Sequence, residues 1–122
     1  MIALGVAVFG GLGAGARFML DGFLTERVHG PVPLATLIIN TLGSLLLGVL
    51  TGWIAVGGPV DVKTIAGVGF CGGFTTFSTA SVELARLVRA GRRPAAAGLG
   101  AVMLIVCLIA GLAGIALGGL LG

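Results

Sequence analysis

The sequence predicts an all-α integral membrane protein with four transmembrane helices, the third broken near its middle. Of its 122 residues, 57% are hydrophobic and only 9% are charged, a balance outside the soluble range and inside the membrane class. Charge-poor runs at 1–16, 34–57, 64–82 and 95–122 each approach or exceed the roughly 20 residues that cross a bilayer as a helix. The third run holds GFCGGFTTFST at 69–79, a Gly-Gly pair followed by hydroxyls and phenyl rings. Hydrocarbon offers unpaired backbone no water, so this stretch needs shielding by protein or a water-filled path. It is the expected functional centre, and no soluble domain remains to compete with it.

With their flanking turns the crossings are placed at about 1–20, 34–57, 64–88 and 95–121 of a single transmembrane domain, 1–122. The first has no basic stretch before its apolar run, and Arg17 follows that run, so it reads as a retained helix and not a signal peptide. The link DGFLTERVHGPVP at 21–33 gathers Asp21, Glu26, Arg27, His29 and two prolines. It ends the first helix ahead of Pro33 and has room for a short interfacial helix. The links GGPVDVK at 57–63 and RAGRRP at 89–94 read as tight turns, with Pro94 suited to the first turn of the fourth crossing. Pairs of small residues at Gly11/Gly15, Gly69/Gly73, Gly114/Gly118 and Gly118/Gly122 predict close backbone approach in lipid. Among 24 glycines several such pairs arise by chance, so they weigh little as evidence for a dimer.

The net charge of +3 comes from bases beside the membrane segments, without the motif or aromatic context that nucleic-acid binding needs. These bases set topology instead. Lys63 alone lies between the second and third crossings, whereas Arg27 lies in the first link and Arg86, Arg89, Arg92 and Arg93 cluster around the third. Cytoplasmic links carry the Lys/Arg excess, so the first and third links are expected inside and both termini outside.

An enzyme is not expected. The one histidine, His29, stands in a link, and no intramembrane carboxylate pair or Ser/His/Asp set is present. Cys71 and Cys107 read as buried thiols that pack as small apolar groups. Glu83, three residues before Arg86, reads as half of an ordinary helical ion pair.

What the membrane does hold is uncharged hydrogen-bonding capacity: Thr36, Asn40, Thr41, Ser44 and Thr51 in the second crossing, then Thr75, Thr76, Ser78, Thr79 and Ser81 in the third. Thr36 and Asn40 share a helix face, as do Thr75 and Thr79. An isolated membrane hydroxyl returns its bond to the backbone one turn earlier. The Asn40 amide cannot satisfy itself that way, and two readings stand: glue between helices, or the lining of a pore. Uncharged donors suit an anion path, because a full positive charge in a dry pore would trap the ion. Phe77, between Thr76 and Ser78, offers either the electropositive edge of its ring to such a path or a packing surface.

The sequence resembles the CrcB/Fluc family of fluoride channels over all four crossings. The marks are GGLGAGARF at 10–18, TLIINTLGSLLLG at 36–48 and GFCGGFTTFST at 69–79. The resemblance implies a fluoride-selective passive channel in the bacterial inner membrane that exports cytoplasmic fluoride and confers fluoride resistance. It implies subunits paired antiparallel in lipid around two narrow pathways. Asn40 would be the pore amide, Phe77 a ring whose edge faces fluoride, and Ser78 and Thr79 part of a hydroxyl track. The carbonyls of Gly72 and Thr75, freed where the third helix breaks, would hold a structural sodium ion at the dimer interface. Carbonyls of this kind suit a hard cation, and glycine tolerates the unwinding. Arg17 matches a basic residue of the family at an aqueous vestibule, with a snorkelling anchor as the alternative.

Departures from the family pattern are also visible. A second phenylalanine usually follows the first by three residues, and here that position is Ala80. Met103 and Cys107 stand where a tyrosine and a serine often occur. These gaps, with five bases on one side against Lys63 on the other, favour pairing with a second homologous subunit, while a homodimer remains open. A small multidrug-resistance exporter of similar size needs a carboxylate in its first helix, and 1–16 contain none. A noncatalytic membrane scaffold would account for the glycines but not for the polar track.

Overall fold

The structure, a computed structural model, describes residues 1–27, 34–75 and 77–121, and of Phe77, Ser78 and Thr79 the backbone alone. His29, Pro33, Thr76 and the side chains of Phe77, Ser78 and Thr79, all singled out above, lie outside the described residues.

Among the described residues the chain is all-helical, with α1 (Ile2–Arg27), α2 (Leu34–Ala55), a single turn α3 (Val60–Val62), a π-helix (Lys63–Cys71), a further turn α4 (Gly72–Phe74), α5 (Phe77–Arg89) and α6 (Arg93–Gly119). Of these, α1, α2 and α6 are each long and apolar enough to cross a membrane. Many of their large apolar side chains stay outside; on α6, Leu104, Ile105, Leu108, Ile109 and Leu112 are exposed. Such a surface is at home in lipid or against another subunit, and not in water. The chain is a multi-pass membrane protein.

The α1 helix continues through Arg27, so residues 21–27, read from sequence as part of a link, are helical. Nothing in Asp21–Arg27 stops a helix. The Arg27 guanidinium lies 3.8 Å from the centre of the Phe23 ring one turn back, and its charge complements the helix C-terminus. The α2 and α5 helices both end in a Schellman motif, with Gly57 (φ 103°) and Gly91 (φ 76°) in the left-handed conformation that glycine takes without strain. The amides of Gly58 and Arg92 reach back to the Trp53 and Leu87 carbonyls at 2.9 and 2.8 Å. Pro94 follows in the first turn of α6, where its missing N–H costs nothing.

Glycine decides which helices touch. The α2 and α6 backbones approach so closely that a Cβ on Gly48 would strike the Gly111 carbonyl, and one on Gly114 or Gly118 would strike the Leu45 or Val49 carbonyl. On the other side α1 packs on the π-helix and α4. There a Cβ on Gly13 would meet the Phe70 carbonyl, and one on Gly73 the Gly10 carbonyl. The Gly69/Gly73 and Gly114/Gly118 pairs therefore serve contacts within the chain. Gly11 and Gly15 face open space, because the turn of α1 presents Gly10 and Gly13 inward instead.

Sequence periodicity did not reveal the π-helix. π-Helix normally occurs as a single bulge, yet here it runs for nine residues, Lys63–Cys71. It closes on Gly72, whose amide points to the Gly67 and Gly69 carbonyls. Beyond α4, Thr75 is extended (φ −83°, ψ 157°), and the helix resumes at Phe77.

Candidate functional site

A partly open cavity of about 480 Å³ lies among α2, the π-helix, α5 and α6. The α2 helix contributes Asn40 and Ser44, one turn apart, with Gly43 between them. Cys71, Gly72 and Thr75 supply the wall at the helix interruption, Ala80 and Ser81 the first turns of α5, and Met103 and Cys107 one face of α6. No lining residue carries a charge. The cavity is an uncharged, mostly apolar recess with an amide and hydroxyls at a few points.

The local sequence explains how α2 reaches the interruption. A Cβ on Gly43 would collide with the Thr75 methyl, so glycine lets α2 lie against the extended Thr75. Phe74 itself is buried and stacks on Phe70 with ring centres 5.7 Å apart. It serves packing, as its place before the threonine pair suggests. Thr75 turns its hydroxyl back to the Cys71 carbonyl at 2.7 Å, and its amide bonds the same oxygen at 2.9 Å. Thr41 and Thr51 likewise return their hydroxyls to Leu37 and Leu47 at 2.7 and 2.8 Å. These three threonines follow the ordinary membrane habit.

Of the residues expected from sequence, Asn40, Gly72 and Thr75 are brought to one cavity. Arg17 is not in its wall. It reaches the interruption from the opposite side, its Nε donating to the Gly73 carbonyl at 3.3 Å. A helix leaves its last carbonyls without partners, and Arg17 satisfies one at the end of α4. The three departures, Ala80, Met103 and Cys107, all line the same cavity as Asn40. Ala80 and Met103 also share a buried cluster with Leu87, Ala96 and Leu99.

Glu83 departs from expectation. Its carboxylate makes no ion pair with Arg86 among the described residues; Oε1 accepts the hydroxyl of Thr36 at 2.7 Å. Thr36 is 3% exposed, and the other carboxylate oxygen, Oε2, is buried without a partner. Helical spacing points to Arg86 because it considers one helix at a time. The pairing across α2 and α5 has no signal in spacing.

The family model for CrcB-like protein, Camphor Resistance (CrcB), matches residues 4–115. The chain belongs to the CrcB family. Among its curated relatives, "Fluoride-specific ion channel FluC 2" of Cutibacterium acnes is 50% identical over 121 residues, covering 97% of this chain and 98% of the relative. "Fluoride-specific ion channel FluC 1" of Leifsonia xyli subsp. xyli is 45% identical, with 98% of this chain and 88% of the relative covered. "Fluoride-specific ion channel FluC" of Novosphingobium aromaticivorans is 44% identical, with 93% and 89% covered. CrcB membership extends over the whole set of cavity-lining residues, Asn40 through Cys107.

Proposed function

We propose that this CrcB-family chain is the subunit of a fluoride-selective passive channel that releases cytoplasmic fluoride down its electrochemical gradient. One observation carries the reading from the geometry: Asn40 lines a cavity together with hydroxyl-bearing residues and, among the described residues, no charged one. A small, hard anion must be met by N–H and O–H donors, and a fixed cation in the path would hold it too tightly to conduct. No coupling carboxylate lines the cavity either, since Glu83 is engaged by Thr36 outside it. That disfavours proton-driven export of the small multidrug-resistance kind.

The direction of flow follows from weak-acid chemistry. Neutral hydrogen fluoride enters from an acidic exterior, dissociates in the near-neutral cytoplasm and leaves the ion trapped. An inside-negative potential favours anion exit by about 2.3 kcal/mol per charge per 100 mV. A passive pore is sufficient, and the protein would confer fluoride resistance.

The finer architecture belongs to the same reading. Residues 60–89 act as one crossing interrupted at Thr75, which with α1, α2 and α6 makes four. Phe77, at the first turn of α5, would turn a ring edge to the ion, with Ser78 and Thr79 continuing the donor track. The subunit would pair with a second one inserted in the opposite sense in a bacterial inner membrane, its termini outside. At the interface a sodium ion would lie against the carbonyls of Gly72 and Thr75. The donor set fits such an ion: Gly72 is exposed, with open space for 4 Å around the point where a Cβ would stand, and main-chain oxygens are hard ligands.

Fluoride efflux from proteoliposomes holding the assembled channel, with a related subunit of opposite orientation where one is required, tests the function when followed with an ion-selective electrode. Efflux that excludes chloride and needs no proton gradient is expected. Equal chloride and fluoride rates would refute it. Asn40→Ala and Phe77→Ala are expected to slow fluoride while leaving assembly on size-exclusion chromatography intact, and parental rates in both would remove these residues from the path.

A further inference from the structure

Three sulfur-bearing residues, Cys71, Met103 and Cys107, line one recess. Cys71 and Met103 are buried, at 3% and 7% exposure, Cys107 is half-buried, and both cysteines are free thiols. All three side chains line the cavity that holds Asn40. Met103 and Cys107 stand one turn apart on the same face of α6, and Cys71 is the last residue of the π-helix. The remaining wall offers an amide, hydroxyls and apolar groups, but no imidazole or carboxylate. Thiolate and thioether donors suit soft metal ions such as copper(I) over magnesium or calcium, and three sulfurs fall short of the four protein ligands of a structural zinc site. Methionine's flexible, polarizable side chain lets a third sulfur adjust to an ion that two cysteines hold.

We propose that this cavity binds one soft monovalent metal ion, of the copper(I) and silver(I) class, through Cys71, Cys107 and Met103, and that the bound ion blocks passage through the cavity. Each thiol that ligates gives its proton to the solvent as its sulfur bonds the metal, while Met103 donates a lone pair and loses nothing. The ion enters through the open side of the recess. Once seated it fills part of the cavity that Asn40 lines, and because two thiols have lost protons for one positive charge gained, the occupied site carries a net negative charge that repels an anion. The blocking half of the proposal rests on the channel reading above; the binding half does not.

Silver nitrate in chloride-free buffer is the probe, with two readouts on the full-length protein. The first is bound silver counted by native mass spectrometry. The second is fluoride efflux with and without silver, taken as a ratio for each variant so that altered basal rates cancel. The parent is expected to bind one silver ion per chain that the Cys71→Ala/Cys107→Ala variant lacks. Removing either cysteine alone forfeits the advantage of simultaneous ligation, so Cys71→Ala and Cys107→Ala should each raise the half-saturating concentration on the order of a hundredfold. Met103→Leu should raise it by a smaller factor. Two silver ions per chain, each lost with one cysteine and indifferent to Met103→Leu, would show independent thiols and overturn the shared site. Retention of silver by the double variant would overturn it too. Silver that binds as described but leaves efflux unchanged would refute the block alone. Absence of fluoride efflux even with a related subunit of opposite orientation co-expressed would defeat the channel reading, while the silver count still decides the site.

Discussion

Thr36 donates its hydroxyl to Glu83 Oε1 at 2.7 Å, joining α2 to α5 across 47 residues of sequence. A carboxylate near an apolar core is costly without hydrogen bonds, and the second oxygen of this one is buried with no donor among the described residues. The Thr36 hydroxyl therefore clamps together two of the helices that flank the cavity.

Removing that donor should be felt at once. Thr36→Val keeps the shape of the side chain and leaves Glu83 without its partner, at an expected cost of about 1.5–3 kcal/mol. Thermal denaturation in detergent, followed by the loss of the monodisperse peak, measures it. Glu83→Gln retains an acceptor for Thr36 and should cost less, and adding it to Thr36→Val should recover part of the loss because no bare charge remains. Additive losses in the double variant would mean that the two residues act separately.

The α2–α6 seam gives a sharper steric contrast. A Cβ on Gly114 would run into the Leu45 carbonyl and the Val49 amide, whereas one on Gly98 of the same helix would meet nothing within 4 Å. Backbone atoms cannot step aside as a flexible side chain can, so Gly114→Ala should force the helices apart and destabilise by about 1–3 kcal/mol. Gly98→Ala should be neutral or stabilise by up to about 1 kcal/mol through helix propensity. Equal melting temperatures for the two variants would contradict this account of the seam.

The sequence made the membrane class and the polar centre legible because both rest on local composition: long apolar runs, and hydroxyls where hydrocarbon would tolerate few. Asn40 and Thr75 stand out that way, Gly72 is added by the family resemblance, and the three share one cavity. What stayed hidden depends on how separate helices meet. Gly10 and Gly13 face the π-helix while Gly11 and Gly15 do not, a matter of a fraction of a turn that a run of small residues cannot fix. Thr36 finds Glu83, and Arg17 finds the Gly73 carbonyl, across 47 and 56 residues. The π-helix escapes for a different reason: its i→i+5 pairing leaves no distinct pattern in a segment as uniformly apolar and small as KTIAGVGFC.

Ala80 and Met103 should prove coupled. Both belong to one buried cluster, so Ala80→Phe alone would force a ring into space that Met103 and its neighbours fill, costing about 1–3 kcal/mol. Met103→Ala alone would leave a cavity and cost about 2–5 kcal/mol. Combined, the ring should occupy the vacated space, and the double variant should be more stable than the sum of the two losses by at least about 1 kcal/mol. Strict additivity in thermal melts would separate the two sites.

The orientation of the chain decides whether it can pair with itself. An antiparallel homodimer needs one sequence to insert both ways in similar amounts, which a balanced charge distribution permits. Here Arg27, Arg86, Arg89, Arg92 and Arg93 lie on one side and Lys63 on the other, a bias that favours one fixed insertion with the arginines in the cytoplasm. A single cysteine at Ala90, exposed just beyond α5, reports on this in a Cys71→Ala/Cys107→Ala background. An impermeant thiol reagent should label it only after the membrane is opened. Fixed insertion leaves the purified chain without an oppositely inserted copy in the cell, so it should show little fluoride efflux until a related subunit of opposite orientation is co-expressed. Half-labelling from outside together with robust efflux from the chain alone would establish dual insertion and a working homodimer, and the requirement for a second subunit would fall.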